Sequence, residues 1–263
     1  MTELICCTPK SLPPGLQEAA ARRAVEINPA NHPGAALAAR ALAGGPISPA
    51  RIALVVGKRW PATGVRLTVA FLDNPPAALR TRILAHMNAW GTKANVKFTQ
   101  TKTDPQVRIA RAGSPPEAAG YWSYIGTDIL HIQKSRPTMN LEAFSMQTPE
   151  SEFHRVVRHE TGHTLGFPHE HMRRELVNLI DPAKAIEYFG RTQGWSAEQV
   201  RQQVLTPLED SSLLGTAHAD PRSIMCYQIP GMLTKTGKPI IGGTDIDKLD
   251  YSFAASVYPK KVK

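Results

Sequence analysis

The order of the sequence signals predicts one domain that mixes strands and helices, with short strands crowded between residues 65 and 144 and helices after residue 150. Three observations carry this reading. Val65, Leu67, Val69 and Phe71 alternate with Arg66, Thr68 and Ala70, the period-two pattern of a strand with one buried face. The stretch "NPPAALRTRILAHMNAW" follows and places Leu79, Ile83, Met87 and Trp90 along one helical face. Beyond Ser151, Phe153, Val156, Val157, Thr161 and Thr164 fall on neighbouring positions of a 3.6-residue repeat.

Taken in order, residues 1–60 are rich in Ala, Pro and Gly. They hold a short helix at "PPGLQEAAARRAVE" and then the breaker-laden "NPANHPGAALAARALAGGPISP", and they read as an extension or linker rather than core. In the helix after the first strand, Asn74 is the expected cap and Pro75 sits in the first turn. "NVKFTQ", "QVRIAR" and "TMNLEAF" are further short strands, with the aromatic, Gly-punctuated "GYWSYIGTDILHI" between the last two. Downstream, Asp181 and Pro182 open a helix at "DPAKAIEYF", and Ser196 with Gln199 forms a capping box for "SAEQVRQQVL". A last helix lies in "TDIDKLDYSFAASVY", with Ile246, Leu249, Phe253 and Val257 on one face.

Composition bounds the function. With 263 residues, 42% of them hydrophobic and 20% charged, the chain can bury a full core. It contains no apolar run of membrane-spanning length, and "MTELICCTPKSLPPG" lacks the basic start and apolar stretch of a secretory signal. The expected location is therefore the cytoplasm, or outside the cell by a non-standard route. Three cysteines, two of them adjacent, argue against a disulfide framework. The net charge of +9 is scattered along the chain, which reads as a solvated basic surface. No groove-reading module is present, so neither nucleic acid nor membrane is an expected partner.

The chemistry concentrates in "HETGHTLGFPHEH", residues 159–171, which holds four of the nine histidines. His159 and His163, four apart on a helix, project from the same face and can share one small cation. Glu160 lies where its carboxylate reaches a water in the metal's open position and takes its proton. Gly166 can end the helix in a left-handed conformation and return His169 to the metal. Three histidines with one open position make a catalytic rather than a closed structural zinc site. A histidine-rich helix end without metal is the competing reading, and the five fixed residue types of the spacing weigh against it. His171 competes with His169 for the third position, and the spacing favours His169, which leaves His171 as a supporting or surface residue. His154 lies off the ligand face. His32, His86, His131 and His218 have no motif around them.

"HETGHTLGFPH" resembles the long zinc-binding motif of the metzincin metallopeptidases. "SIMCY", residues 223–227, resembles the Met-containing turn of that clan, which implies that Met225 is an apolar floor beneath the ligands. Within the clan, Gly166, Phe167, His169 and Glu170, together with Ser223, Met225 and Tyr227, are most similar to the astacins. The resemblance spans about two-thirds of the chain and is specific at these two motifs. It implies that Tyr227 stabilises the oxyanion of the tetrahedral intermediate, and that Glu170 contacts the new N-terminus made when a pro-segment is removed. Leu176, Val177 and Asn178 depart from the astacin pattern, Cys226 stands where astacins commonly carry His, and the typical astacin disulfides are missing. These departures point to a divergent, bacterial-type relative.

The resemblance implies an α+β fold with two lobes around an active-site cleft. A twisted, mixed sheet and the long zinc-binding helix form the upper lobe, about residues 61–167, and about 168–263 form the lower lobe. Residues 1–60 are then an N-terminal extension or pro-segment before a catalytic domain at 61–263. An edge strand pairs with extended peptide in this architecture, and "GYWSYIGTDIL" is the candidate. The implied activity is zinc-dependent endopeptidase action by a monomer on a peptide or protein substrate. One catalytic Zn2+ is held by His159, His163 and His169, Glu160 is the general base and Tyr227 the oxyanion stabiliser. The family also implies a preference for acidic side chains near the scissile bond. A specialised zinc amidase or cell-wall peptide hydrolase would use the same ligands, and a non-catalytic peptide-binding module would keep the same fold. Cys6 or Cys7 offers a thiolate that could block the metal, a role set against the inertness of most free cysteines.

Overall fold

The computed structural model describes residue 7, residues 10–32 and 34, and residues 57–115, 118–207 and 219–261. Cys6, His218 and most of the breaker-laden stretch after residue 34 lie outside the described residues. The period-two segment is strand β1 (Val65–Phe71), with Val65, Leu67 and Val69 turned into the core and Arg66 exposed. β2 (Val96–Gln100) and β3 (Val107–Ala110) pair with it in parallel on either side. β4 (Tyr121–Ser123) runs antiparallel to β5 (Met139–Leu141), which joins β3 in parallel. The order β2-β1-β3-β5-β4 makes β4 an edge. The expected edge strand at "GYWSYIGTDIL" is thus a short strand, and its second half is the 3-10 turn Gly126–His131.

Helix α2 (Ala77–Met87) buries Leu79, Ile83 and Met87 as expected. Asn74 is not its cap. Two successive prolines hold residues 74 and 75 out of the helical region, Asn74 takes a left-handed φ of 45°, and the helix starts after Pro76. Trp90 is buried in the 3-10 turn Asn88–Thr92 beyond the helix end. Helix α3 covers 150–164 as one rod with a π-helical turn, Phe153–Val157, between Glu150–Glu152 and Arg158–Thr164. The wider turn shifts the register of the face by one residue. Phe153, Val156 and Val157 join Leu67, Phe98 and Ile109 in one core.

After α3 a second core gathers Leu176, Ile180, Phe189, Val200, Val204 and Ile229. Helix α4 (Pro182–Gln193) is capped by Asp181, whose side chain accepts from Ala183 N and Lys184 N, and it ends at Gly194 with φ 65°. The Ser196–Gln199 capping box opens α5 (Ala197–Val200), which widens into the π turn Arg201–Leu205. Helix α6 (Lys248–Val257) packs back on the first core. Its buried face departs from the expected one, because a capping box between Asp247 and Asp250 sets the start. Ile246 therefore precedes the helix, Leu249 is 49% exposed, and Asp250, Ala254 and Tyr258 point inward. The architecture is α+β, two lobes with the C-terminal end of α3 between their cores.

The N-terminal stretch is packed rather than loose. Helix α1 (Pro14–Ile27) buries Ala20, Ala21 and Ala24 and lies against the 126–131 turn. Asn31 is 1% exposed. It donates to Ala24 O at 2.9 Å and Arg59 O at 2.8 Å, and accepts from Arg59 N at 3.0 Å. Small alanines let the helix approach closely, and the buried amide satisfies backbone groups of two segments at once. Asn31→Ala strands those groups and should cost about 2–4 kcal/mol. It should lower the melting temperature and hasten release of the N-terminal segment in limited proteolysis, whereas an unchanged cleavage rate would deny Asn31 this anchoring role.

Candidate active site

The C-terminal end of α3 carries His159, Glu160 and His163, all buried. Gly162 makes room beneath them, since a Cβ there would overlap the Met225 thioether. The helix stops at Gly166, whose φ is 92°. Phe167 N donates to Gly162 O at 3.0 Å and Gly166 N to His163 O at 2.8 Å, the paired bonds of a Schellman end. Lys58 O and Arg59 Cα crowd the space a Cβ on Gly166 would take. The turned chain returns His169 so that its Nε2 lies 3.1 Å from His159 Nε2 and 3.0 Å from His163 Nε2.

That convergence tests the fit of a metal. His159 Nδ1 donates to Ile224 O at 2.6 Å and His163 Nδ1 to Phe167 O at 2.8 Å, so each Nε2 carries a lone pair towards the shared centre. Lone pairs this close repel unless positive charge lies between them. Tetrahedral zinc with bonds of about 2.0–2.1 Å spaces its nitrogens at slightly more than these separations. The donor set fits zinc. Burial holds the imidazoles neutral, pushing His159 down to about 4 and His163 and His169 well below their ordinary value, the latter two also through their histidine neighbours. Burial pushes Glu160 up to about 8, against a smaller opposing pull from the Cys7 side chain. A dication would lower that value again.

The 223–227 turn is held from α6. Asp250 accepts from Ser223 Oγ at 2.6 Å, from Ile224 N at 2.9 Å and from Asp247 N at 3.0 Å, and Ser223 Oγ accepts from Met225 N at 3.0 Å. Sequence reading missed Asp250 and Gly162. The spacing Asp-x-x-Asp at 247–250, taken as a capping box, would have exposed the first. The second is visible only once Met225 is beneath it.

Tyr227 stacks on His171 at 4.0 Å and 18°, and its ring lies 4.3 Å from that of His169. Its hydroxyl donates to Cys7 O. His171 is fully buried, with Nε2 donating to Gln203 O at 3.0 Å, so of the two expected roles the surface one is corrected. Of the two cysteines considered as metal-blocking thiolates, Cys7 is buried at the site: its Sγ and the three histidine nitrogens lie within 4.8 Å of one another. Glu170 pairs with Arg173 at 2.7 Å and accepts from Asp220 N at 3.1 Å. With Asp220 and Asp250 it borders a second hollow of about 400 Å³. His154 Nδ1 lies 2.8 Å from Asp245. His86, Glu150 and His154 form a further donor group, but Arg82 on Glu150 and Arg158 on Asp245 already supply positive charge there. The cleft is about 450 Å³, lined by Cys7, Tyr121, Arg155, His159, Glu160 and Tyr227 among others.

Fold and donor set together define a zinc metallopeptidase of the metzincin class. The model of the astacin peptidase family matches residues 55–228. The chain belongs to the astacin family of zinc metalloendopeptidases. It is 26% identical over 189 residues to the zinc metalloproteinase nas-27 of Caenorhabditis elegans, covering 72% of this chain and 38% of that protein. The chain therefore spans well under half the length of that relative. Two structures of myroilysin match with TM-scores of 0.71 and 0.58, at 29% and 30% identity, over 78% and 77% of this chain and 97% and 86% of theirs. The hatching enzyme HCE-1 of the medaka fish Oryzias latipes, a zinc-protease, shares the fold at 17% identity and a TM-score of 0.50, over 74% of this chain and 90% of that one. Among the described residues no helix is long and apolar enough to cross a membrane.

Asp250 gives the centre a pH signature. Burial raises its carboxyl from the ordinary 3.8 to about 6, outweighing the donors that hold it. A carboxyl raised in the folded state binds protons there that the unfolded chain has lost. Its stabilising contribution is thus complete below about pH 4 and is lost as pH rises through about 6, at no more than about 1.4 kcal/mol per pH unit. Asp250→Asn should flatten that part of the stability profile in denaturant titrations, whatever its effect on the height of the curve. An unchanged slope would show that Asp250 does not titrate in this range.

Proposed function

We propose that the chain is a zinc-dependent endopeptidase with one catalytic ion held by His159, His163 and His169, Glu160 as general base and Tyr227 as oxyanion stabiliser. The observation that carries this reading is the meeting of three buried imidazole nitrogens at 3.0–3.1 Å beside a buried carboxylate. When bound, zinc polarises the scissile carbonyl and acidifies a water. Glu160 takes the proton of that water and passes it to the leaving amine, and its burial makes the carboxylate a stronger base. The Tyr227 hydroxyl donates to the oxyanion once it leaves Cys7 O. β4 offers an open edge to an extended substrate. Residues 61–263 form the catalytic domain, a monomer in this reading, and residues 1–60 a removable segment. Glu170, with Asp220 and Asp250 beside it, suits the ammonium of the N-terminus that removal creates. Neither nucleic acid nor membrane takes part.

The test measures zinc content and cleavage of a quenched peptide library before and after limited proteolysis of the N-terminal segment. Glu160→Gln should keep about one zinc per chain and lose about 10²- to 10⁴-fold in kcat. Tyr227→Phe should lose about 10²- to 10³-fold in kcat with little change in KM, because its donor acts on the transition state. Full activity in Glu160→Gln would remove Glu160 from the mechanism.

A further inference from the structure

Along the first turns of α3 lies a charged cluster that the peptide-cleaving chemistry leaves unused. Glu150, His154 and Arg158 follow one another at four-residue spacing and meet along one side of the helix. His86, 6% exposed near the end of α2, packs against all three. The hydrogen bonds assign the protons. Arg82 donates to Glu150 and holds that carboxyl below its ordinary value, so His86 Nε2, at 3.1 Å from Glu150 Oε1, is the donor of that contact. His86 Nδ1 therefore carries the lone pair, and Arg158 Nε donates to it at 3.3 Å. His154 Nδ1 donates to Asp245 at 2.8 Å, which turns its Nε2 lone pair towards Arg158 Nη2 at 3.4 Å.

Arg158 also donates from Nη1 to Asp245 Oδ1 at 2.5 Å. Asp245 stands two residues beyond Gly243, which lines the cleft. Gly243 lies flat on the 223–224 backbone, since a Cβ there would come within 2.5 Å of Ile224 N and Cα and of Ser223 C. Ile224 O in turn accepts from His159 Nδ1. Arg158, which precedes His159 in the chain, thus closes a ring of contacts on the same ligand through a wall of the cleft.

We propose, resting on the peptidase reading above, that Arg158 is a positioning residue that holds the 243–246 wall of the cleft to α3 for substrate binding, and that its hold lasts only while His86 is neutral. A proton on His86 Nδ1 replaces an acceptor with a donor and sets it against the Arg158 Nε–H. Burial opposes that proton first; of the charged and titratable groups facing His86, Glu150 favours it, while Arg158, His154 and Arg82 oppose it. A proton on His154 falls instead between the Glu150 and Asp245 carboxylates, so His86 is the group whose charge Arg158 cannot accommodate. With His86 kept below its ordinary 6.5 in the folded chain, the hold is complete above about pH 6.5 and is lost as pH falls below it.

The experiment compares the wild type, His86→Asn and Arg158→Gln as full-length, zinc-loaded chains at pH 7 and pH 5.5, with equal zinc content verified. The amide oxygen of His86→Asn takes the place of Nδ1 as an acceptor that gains no proton in this range. Hydrogen exchange of residues 243–247, corrected for the intrinsic rate, reads the hold without any need for activity. Between pH 7 and pH 5.5 it should rise in the wild type by up to about tenfold more than in His86→Asn, because the neutral form of His86 is diluted by about that factor one unit below 6.5. Kinetics follow limited proteolysis, as in the assay above. The wild-type KM should rise by up to about the same tenfold relative to His86→Asn, with kcat moving alike in both, because the wall binds substrate and transition state equally. Arg158→Gln should show fast exchange and a high KM at both pH values. Equal pH responses in the wild type and His86→Asn overturn the proposal, as does an exchange difference with no KM difference in enzymes that cleave. The exchange difference with no cleavage by any variant keeps the Arg158 hold and strikes the peptidase reading instead.

Discussion

Two hydrogen bonds from imidazole to backbone set the geometry on which the rest of this site depends. His159 Nδ1 to Ile224 O and His163 Nδ1 to Phe167 O fix each tautomer and aim each Nε2. The Ile224 carbonyl comes from outside the helix that bears the histidines, and the Phe167 carbonyl from the turn that ends it. Ile224 is held by Asp250, which is itself positioned by the Asp247 capping box at the start of α6. Phe167 follows the left-handed Gly166, and the helix end before it is clamped by Trp60 Nε1 on Thr164 O at 2.9 Å and by Tyr258 Oη on Leu165 O at 2.5 Å. Residues close to both ends of the catalytic region thus meet at one helix terminus. A local motif becomes a rigid donor set because distant segments finish it.

Electrostatics follows from the same burial. Three imidazoles in a dry pocket cannot all carry protons, and a lone carboxyl beside them resists ionisation. Such a cluster is costly in itself and becomes favourable when a dication shares it. Lower down, the Glu170, Asp220 and Asp250 carboxyls are all raised, with burial the first cause in each. The lower wall of the site therefore gathers three carboxyls that burial holds towards their protonated form, beside the second hollow.

The segment before the first strand changes how the cleft is understood. Ala20, Ala21 and Ala24 give α1 a flat, small-residue face, and Asn31 ties it to the backbone that leads into β1. Docking costs little side-chain entropy, because alanine has none to lose. A segment that reads as linker in composition is in this way docked on the domain, with Cys7 ahead of it lining the cleft.

Much of the architecture was determined locally. The alternation from Val65, the Leu79, Ile83, Met87 and Trp90 face, the caps at Asp181 and Ser196, and the turn at Gly166 all rest on interactions within a few residues, which is why the sequence alone predicts them. The spacing within residues 159–169 likewise marks a metal site, and only the resemblance to the astacins joins residues 223–227 to it. Tertiary structure decided what local physics leaves open. It delayed α2 past Asn74, widened α3 into a π turn, and turned α6 so that Asp250 rather than Leu249 faces inward. It buried His171 under Tyr227, required Gly162 for the passage of Met225, and brought Cys7 across more than 150 residues of chain to the histidines. Those outcomes depend on which surfaces meet, and contact between residues far apart in sequence leaves no periodic trace in either partner.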